Sequence, residues 1–485
     1  MSDIPRIAVS GAAPNPTRGQ QRASARYGPQ PSGRRLRVPA PRVWRVKSGD
    51  VAVVLGVNAL VILGMWVRHG GLSLLVSPAA DLTALGQLTA LLGTYAALIQ
   101  IVLMSRSPWL DQLFGMDRLA QWHRVLGFSC VNLICAHVVL TTVGYALGDG
   151  SSVAAETWIL LTTFPYVLMA TVGTGLLVLV AVTSVRKARR RLEYETWHFI
   201  HLYTYLAIVL SFGHVLAVGT DFNNDGVARA YWIVLYAIVA MLVLLFRFAQ
   251  PVRLAFRHSM RVHSVVPEGP GVASIYVTGR DLYRLSSRAG QYFNWRFLAA
   301  DGWWRAHPFS LSAAPNSSYL RLTVKDVGDG SAAIQHLKPG TRVAVEGPYG
   351  TFTTIRRRSR PLLMIAGGIG ITPIRALLEE LHSTKGSIVL LYRARSWDEV
   401  IFKDELDKLM QERRGTLHYL VGRRGAEGIG GDPLSAAALR RLVPDVHNRD
   451  VFICGSATMM RGLHASLDKL QVRRDQVHYE RFALL

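Results

Sequence analysis

Six apolar runs fall between residues 50 and 248, at about 50–67, 82–104, 122–146, 158–184, 196–218 and 230–248. Each is long enough to cross the ~30 Å hydrocarbon core of a bilayer as a helix. Inside that solvent a chain must satisfy its backbone polar groups internally, so these residues are expected to form an all-α bundle of six spanning helices. After Arg253 the pattern changes: charges recur throughout, and short β-rich stretches give way to alternating strands and helices. At 485 residues the chain exceeds one ordinary domain, and its two halves are built for different solvents.

The connections between the runs set direction. The segment before the first run is basic, the second connection carries Arg106 and Arg118, and the fourth reads Arg186-Lys187-Ala188-Arg189-Arg190-Arg191. The sixth run leads into Arg253 and Arg257, whereas the other three connections hold little Lys or Arg. By the positive-inside rule both termini and the whole second half are expected in the cytoplasm, on an integral protein of the plasma membrane. The net charge of +23 raises nucleic acid as a partner. No DNA-binding motif or aromatic-studded basic stripe accompanies it, so the expected partner of this charge is anionic lipid, not nucleic acid. Residues 1–46 carry few large apolar side chains and read as a disordered basic arm. The three cysteines have neither zinc nor iron–sulfur spacing.

Five histidines lie within two of the apolar runs: His123 and His137 on the third, and His198, His201 and His214 on the fifth. Ionisable residues at membrane depth are usually functional. A gap of 14 residues turns a helix to within about 40° of whole turns, so His123 and His137 can face one seam about 21 Å apart in depth. The 13-residue gap from His201 to His214 matches that depth, but an ideal helix would set the two side chains about 140° apart. The fifth span is therefore expected to bend or bulge, near Ser211-Phe212-Gly213.

The segments Gln121-Trp122-His123-Arg124 to Cys135-Ala136-His137, and Thr196-Trp197-His198-Phe199-Ile200-His201 to Gly213-His214, resemble the transmembrane domain of the ferric reductase and NADPH oxidase superfamily. That resemblance implies two stacked b-type haems, the inner held by His123 and His201 and the outer by His137 and His214. His198 breaks the spacing and is left out of the ligand set. Arg118 and Arg124 are either partners of the inner haem's propionates or topology anchors. Two imidazoles per iron leave no open coordination position, which favours outer-sphere electron transfer.

Residues 255–355 are expected to form a small antiparallel β-barrel. Within it His307-Pro308-Phe309-Ser310-Leu311-Ser312, preceded by Gly290-Gln291-Tyr292-Phe293 and followed by Gly328-Asp329-Gly330-Ser331, resembles the FAD site of the ferredoxin–NADP reductase superfamily. The resemblance implies that Phe309 faces the isoalloxazine, Ser310 bonds flavin N5, and His307 with Gly330 and Ser331 meets the diphosphate.

Residues 356–485 read as an α/β domain with a parallel sheet. Leu362–Ala366 runs into Gly367-Gly368-Ile369-Gly370-Ile371-Thr372-Pro373 and then a helix, the strand–turn–helix arrangement that cradles phosphate. It resembles the reductase superfamily's nucleotide turn, placing Gly367, Gly368, Gly370, Thr372 and Pro373 against the coenzyme. Cys454-Gly455-Ser456 stands where that family has Cys-Gly-Pro beside the nicotinamide; Cys454 is otherwise a buried small residue. Arg393, Arg395, Arg423 and Arg424 follow strand ends, where a 2′-phosphate docks, and no acid is evident just after those ends, so NADPH is expected over NADH. Phe482, near the carboxyl terminus, is the candidate aromatic stacked on the flavin.

The expected architecture is therefore a basic arm (1–46), a six-span haem b domain (47–250), an FAD barrel (255–355) and an NAD(P)-binding domain (356–485). The expected activity passes electrons from cytoplasmic NADPH through FAD and two haems to an extracytoplasmic acceptor, oxygen or a ferric chelate. The alternative is a membrane-anchored flavin reductase serving a cytoplasmic partner protein.

Overall fold

The computed structural model describes residues 47–189, 191–219, 225–299, 302–358, 360–381, 386–422 and 432–481. The expected arm, Arg423, Arg424 and Phe482 lie outside them. The described residues form two compact units, one within Trp44–Ala249 and one within Gln250–Leu485.

The first unit is helical: α1 (Ser48–Arg68), α2 (Pro78–Leu103), α3 (Pro108–Phe114), α4 (Met116–Asp149), α5 (Val153–Thr163), α6 (Val167–Ser184), α7 (Tyr194–Val218) and α8 (Gly226–Val243). Among the described residues six helices are long and apolar enough to cross a membrane, the last continuing from α8 to His258 through a π-helical turn at Leu244–Ala249. The expected fourth span, 158–184, is interrupted. Pro165 has no N–H to donate and disfavours helix in the residue before it, so α5 ends at Thr163 and α6 starts after Tyr166, whose φ is +64°.

Glycines set which helices touch. A Cβ on Gly86 or Gly93 of α2 would stand 2.6 Å from Thr141 and 2.8 Å from Ile134 of α4, and one on Gly144 of α4 would stand 2.9 Å from the Thr83 amide. A Cβ on Gly173 of α6 would lie 2.8 Å from the Ala207 carbonyl of α7. Small residues let helix backbones approach where lipid supplies no hydrophobic drive.

The second unit opens with α9 (Gln250–His258) and two antiparallel sheets, ordered β1 (Arg261–Gly269), β2 (Val272–Thr278), β5 (Leu320–Lys325) and β4 (His307–Ser310), β3 (Tyr292–Phe297), β6 (Val343–Tyr349). Inward-facing Ile275, Phe293, Trp295, Leu311 and Leu322 fill the space between them. Burying a side chain such as Phe293 contributes about 1.5–3 kcal/mol. A short helix, α10 (Asp329–Gln335), follows β5.

The nucleotide lobe is a parallel sheet ordered β11 (Val477–Arg481), β10 (Asp450–Gly455), β7 (Leu362–Gly367), β8 (Ile388–Ala394), β9 (Thr416–Val421). Strand β7 shows why its sequence is apolar throughout. Leu362, Met364 and Ala366 join the core under α11 (Ile371–Glu380) and α12 (Lys403–Glu412), while Leu363 and Ile365 join the opposite core under α13 (Ala436–Leu442) and α14 (Ala457–Lys469). With period two and helices on both faces, neither side of the strand sees water.

Candidate redox sites

The four candidate haem ligands meet in two pairs. The imidazole centroids of His123 and His201 are 5.8 Å apart, and those of His137 and His214 are 6.4 Å apart. An imidazole nitrogen sits about 2.0 Å from a first-row metal, so two imidazoles on opposite faces of one iron have centroids roughly 6.3 Å apart. The backbones of α4 and α7 approach each other at few points, and the paired rings bridge the two helices. The Nδ1 atoms of His123, His201 and His214 are buried with no hydrogen-bond partner among the described residues. Nδ1 of His137 lies 3.0 Å from the Gly86 carbonyl. A carbonyl only accepts, so this nitrogen carries the proton and Nε2 is left as the coordinating atom. These residues fit a pair of bis-imidazole irons.

The bulge expected in the fifth span is absent: α7 is one α-helix from Tyr194 to Val218. Ser211 Oγ instead donates back to the Ala207 carbonyl at 2.9 Å, a bond that bends helices gently. The remaining angular mismatch falls to the side-chain torsions of His201 and His214. At the start of α7, Trp197 lies 5.0 Å from His201, donates to Ser184 Oγ, and carries the Arg189 guanidinium 4.7 Å over its ring. His198 lies within electrostatic range of Arg247 and Arg106.

In the barrel lobe, β3 and β4 pair Tyr292 with Ser310 and Phe293 with Phe309. Trp295 Nε1 donates to the Phe309 carbonyl at 3.0 Å, fixing the strand. The rings of His307 and Phe309 are near-parallel, 6.1 Å apart, and Pro308 is exposed. A Cβ on Gly330 would stand 3.2 Å from His307 Cε1, so the glycine turn and the His307 ring share one site. Burial and, after it, Arg305 hold the His307 pKa below its usual value, keeping the ring neutral. The amides of Ser331 and Ala332 turn back to the Gly328 carbonyl, and Ser331 Oγ closes the same turn. Those of Asp329 and Gly330 take no partner among the described residues and remain for an anion.

The nucleotide turn lies where the strand order reverses, between β7 and β10, the usual ligand crevice of an open parallel sheet. A Cβ on Gly370 would sit 2.6 Å from the Cys454 carbonyl carbon, and one on Gly455 would sit 3.3 Å from the Gly367 Cα. Gly368 takes a φ of +53°. Thr372 and Pro373 are buried, and the Thr372 hydroxyl donates to the Ile369 carbonyl at 3.0 Å. They therefore build the turn, leaving the glycine backbone to meet a coenzyme. Cys454 is fully buried in the lobe's core, where burial and then Glu480 push its thiol pKa up, keeping it protonated.

The described strand-end arginines, Arg393 and Arg395, are engaged. Arg393 donates to the Ala394 and Leu420 carbonyls at 2.6 and 2.8 Å, tying β8 to β9. Beyond the end of β8, Glu399 folds back onto Arg395 at 2.6 Å and lies 3.5 Å from Lys325. Four residues, Arg395 to Asp398, separate Glu399 from the end of β8, and a 3-10 turn at Trp397–Glu399 brings it back, which the sequence does not show. Sequence reasoning also passed over Gly86, which orients His137, and the Arg321–Glu405–Arg375 cluster, whose members are far apart in the chain.

Residues 89–212 match the ferric reductase like transmembrane component, and residues 364–465 match the oxidoreductase NAD-binding domain. The chain is thus similar to the ferric reductase like transmembrane component within its helical unit and to FAD/NAD-binding reductases within its second unit. Its six membrane-length helices make it an integral membrane protein. Over 212 residues it is 35% identical to the ferredoxin reductase component of 3-ketosteroid-9-alpha-monooxygenase from Mycobacterium tuberculosis, covering 42% of this chain and 56% of that one. It is 26% identical over 239 residues to the glycine betaine monooxygenase reductase subunit of Chromohalobacter salexigens, covering 47% and 64%. The flavohem-like FAD/NAD binding domain of nitric oxide dioxygenase from Vibrio cholerae aligns with 23% identity and a TM-score of 0.37, over 46% of this chain and 98% of that one. The chain thus spans somewhat over half the length of the curated relatives it matches.

Proposed function

We propose that this oxidoreductase carries electrons across the membrane, from cytoplasmic NADPH to an extracytoplasmic acceptor that is either oxygen or a ferric chelate. The observation that carries the reading is the double pairing of imidazoles between α4 and α7, with centroids 5.8 and 6.4 Å apart. His123 and His201 would hold the inner haem, and His137 and His214 the outer one. Ser310, Phe309, His307 and the Gly330-Ser331 turn would hold FAD, with Phe482 covering it. The Gly367–Gly370 turn and Gly455 would hold the coenzyme, with Cys454 beneath it and Arg393 and Arg423 at its phosphate edge. Bound there, a flavin would supply the conversion of a two-electron hydride into single electrons, and the haems would supply one-electron relay.

The residues supply position and environment. Gly86 holds His137 in the Nδ1–H tautomer, which leaves its Nε2 lone pair for coordination. Neutral His307 offers a hydrogen bond to a diphosphate without adding a second full charge beside Arg305. The buried, protonated Cys454 excludes water from the floor of the cradle without adding charge. The apolar runs and the basic second and fourth connections support the cytoplasmic placement of the dehydrogenase unit.

The test is a haem and flavin assay on detergent-purified full-length protein, with NADPH and NADH compared as donors. About two b-type haems per flavin, reduced by NADPH under anaerobic conditions, are expected. A reduced-minus-oxidised spectrum without a b-type band would sink the transmembrane path and leave the anchored reductase.

A further inference from the structure

Behind the flavin motif, two arginines from two lobes share one carboxylate and one backbone carbonyl. Arg321 of β5 is 3% exposed and clasps Glu405 of α12 with two hydrogen bonds, at 2.9 and 3.1 Å. Arg375 of α11 donates Nε to the same carboxylate at 2.7 Å. Both guanidiniums then donate to the carbonyl of Ser312, at 2.8 Å from Arg321 and 3.3 Å from Arg375. Arg375 also pairs with Glu379, whose carboxylate accepts the Ala314 amide at 2.9 Å. Arg321 lies over the Phe402 ring at 4.7 Å, which fixes its plane.

The positions of these groups in the chain give the cluster its meaning. Ser312 ends the His307–Ser312 motif of the barrel lobe, and α11 begins directly after the Gly367–Gly370 turn of the nucleotide lobe. One carboxylate therefore ties the strand of the flavin site to the helix of the coenzyme site. Burial raises the pKa of Glu405, but Arg321 and Arg375 outweigh that and hold it at about 2, so the tie is ionic at working pH.

We propose that Glu405 is a positioning residue for hydride transfer, holding the flavin strand and the nucleotide helix in one register through Arg321 and Arg375. This rests on the flavin and coenzyme assignments above. In the step it serves, the nicotinamide C4–H bond breaks, the hydrogen leaves with both bonding electrons, and an N–H bond forms at flavin N5. The coenzyme leaves oxidised and the flavin is reduced. Transfer of this kind requires donor and acceptor in near contact, and a displacement of about 1 Å costs roughly a hundredfold in rate. Without the carboxylate, two like-charged guanidiniums share one carbonyl in a buried site and push the lobes apart.

Full-length protein loaded with flavin and haem tests this with Glu405→Gln and Glu405→Ala. Hydrogen exchange at the Ser312 to Ala314 amides is expected to quicken in both variants, with or without NADPH. Anaerobic stopped-flow bleaching of flavin by NADPH is expected to slow by about tenfold to a hundredfold, with flavin content and NADPH affinity largely kept. Wild-type bleaching rates in both variants would overturn the proposal. So would loss of flavin from both, because that is a folding role. A wild-type protein whose flavin is never bleached by NADPH instead defeats the cofactor reading, and the exchange measurement still decides whether Glu405 locks the lobes.

Discussion

Adding one methyl group at Gly370 should slow flavin reduction more than the same change at either neighbouring glycine. The Cβ of Gly370→Ala would stand 2.6 Å from the Cys454 carbonyl carbon and 2.9 Å from the Gly455 amide nitrogen, with the Cys454 oxygen closer still. Ordinary contact begins at 3.4 Å and the Cys454 oxygen is the nearest atom, so the backbone there must part by about 1.1 Å. Every obstructing atom is backbone, and no rotamer change relieves it. Overpacking of this kind costs about 1–3 kcal/mol. The opening falls at the coenzyme crevice, where a shift of about 1 Å slows transfer by up to a hundredfold. Gly367→Ala meets mainly the end of the Met459 side chain, which can swing away. Gly368→Ala meets nothing within 4 Å but must hold a φ of +53°, a strain of about 1–2 kcal/mol with little displacement. Stopped-flow bleaching of flavin by NADPH, beside thermal melting, separates the two effects. Gly368→Ala should melt earlier yet transfer hydride at close to the wild-type rate, and Gly370→Ala should do both badly. Equal bleaching rates in wild type and Gly370→Ala would refute the argument.

His137→Ala or His214→Ala should drop haem content from about two per chain to about one while NADPH still bleaches the flavin; loss of bleaching in a folded variant would contradict independent sites. Acid should weaken the dehydrogenase unit. The folded pKa of Glu405 is about 2, against an ordinary value near 4.5, so the unfolded chain binds the extra proton between those values and stability falls as pH falls through them. The full effect is about 3 kcal/mol, Glu399 adds to it because hydrogen bonds from Arg395 hold its carboxyl at about 2, and Glu405→Gln should flatten the melting profile between about pH 5 and 3. Gly173→Ala places a Cβ 2.8 Å from both the Ala207 carbonyl and Ser211 Oγ, which should press α7 off α6 and shift the potentials of both haems. Redox titration showing unchanged potentials would count against that packing.

The parts of the molecule with a repeating solvent boundary were legible from the chain. The apolar runs marked the spans, and the unbroken Leu362–Ala366 run marked a strand covered on both faces. Pro165 was visible too, but a count of apolar residues passes over a single missing N–H. The 13-residue gap on the fifth span suggested a bulge, because periodicity fixes where a Cα points and not where a flexible imidazole ends. Least legible were contacts closed by the tertiary fold. Arg393 reads as a spare cation until β9 brings the Leu420 carbonyl beside it, and Arg321, Arg375 and Glu405 share nothing in sequence that would group them.

The spacing of the histidine pairs follows from which helix faces are already occupied. Helix α4 turns Ile134, Thr141 and Gly144 towards α2, where Gly86, Gly93 and Thr83 let the backbones close. Helix α7 turns Ala207 and Ser211 towards Gly173 of α6. Each histidine helix therefore satisfies its close packing against a different neighbour, and neither draws the other in. The rings left between them are polar, and in hydrocarbon a buried imidazole nitrogen without a partner is costly. Three of the four pair members carry such a nitrogen. Packing that holds two helices apart around unpartnered imidazoles costs stability unless something fills the space. A flat, apolar group that takes an imidazole on each face suits this space: it supplies contact to the separated helices and a coordinate bond to each ring.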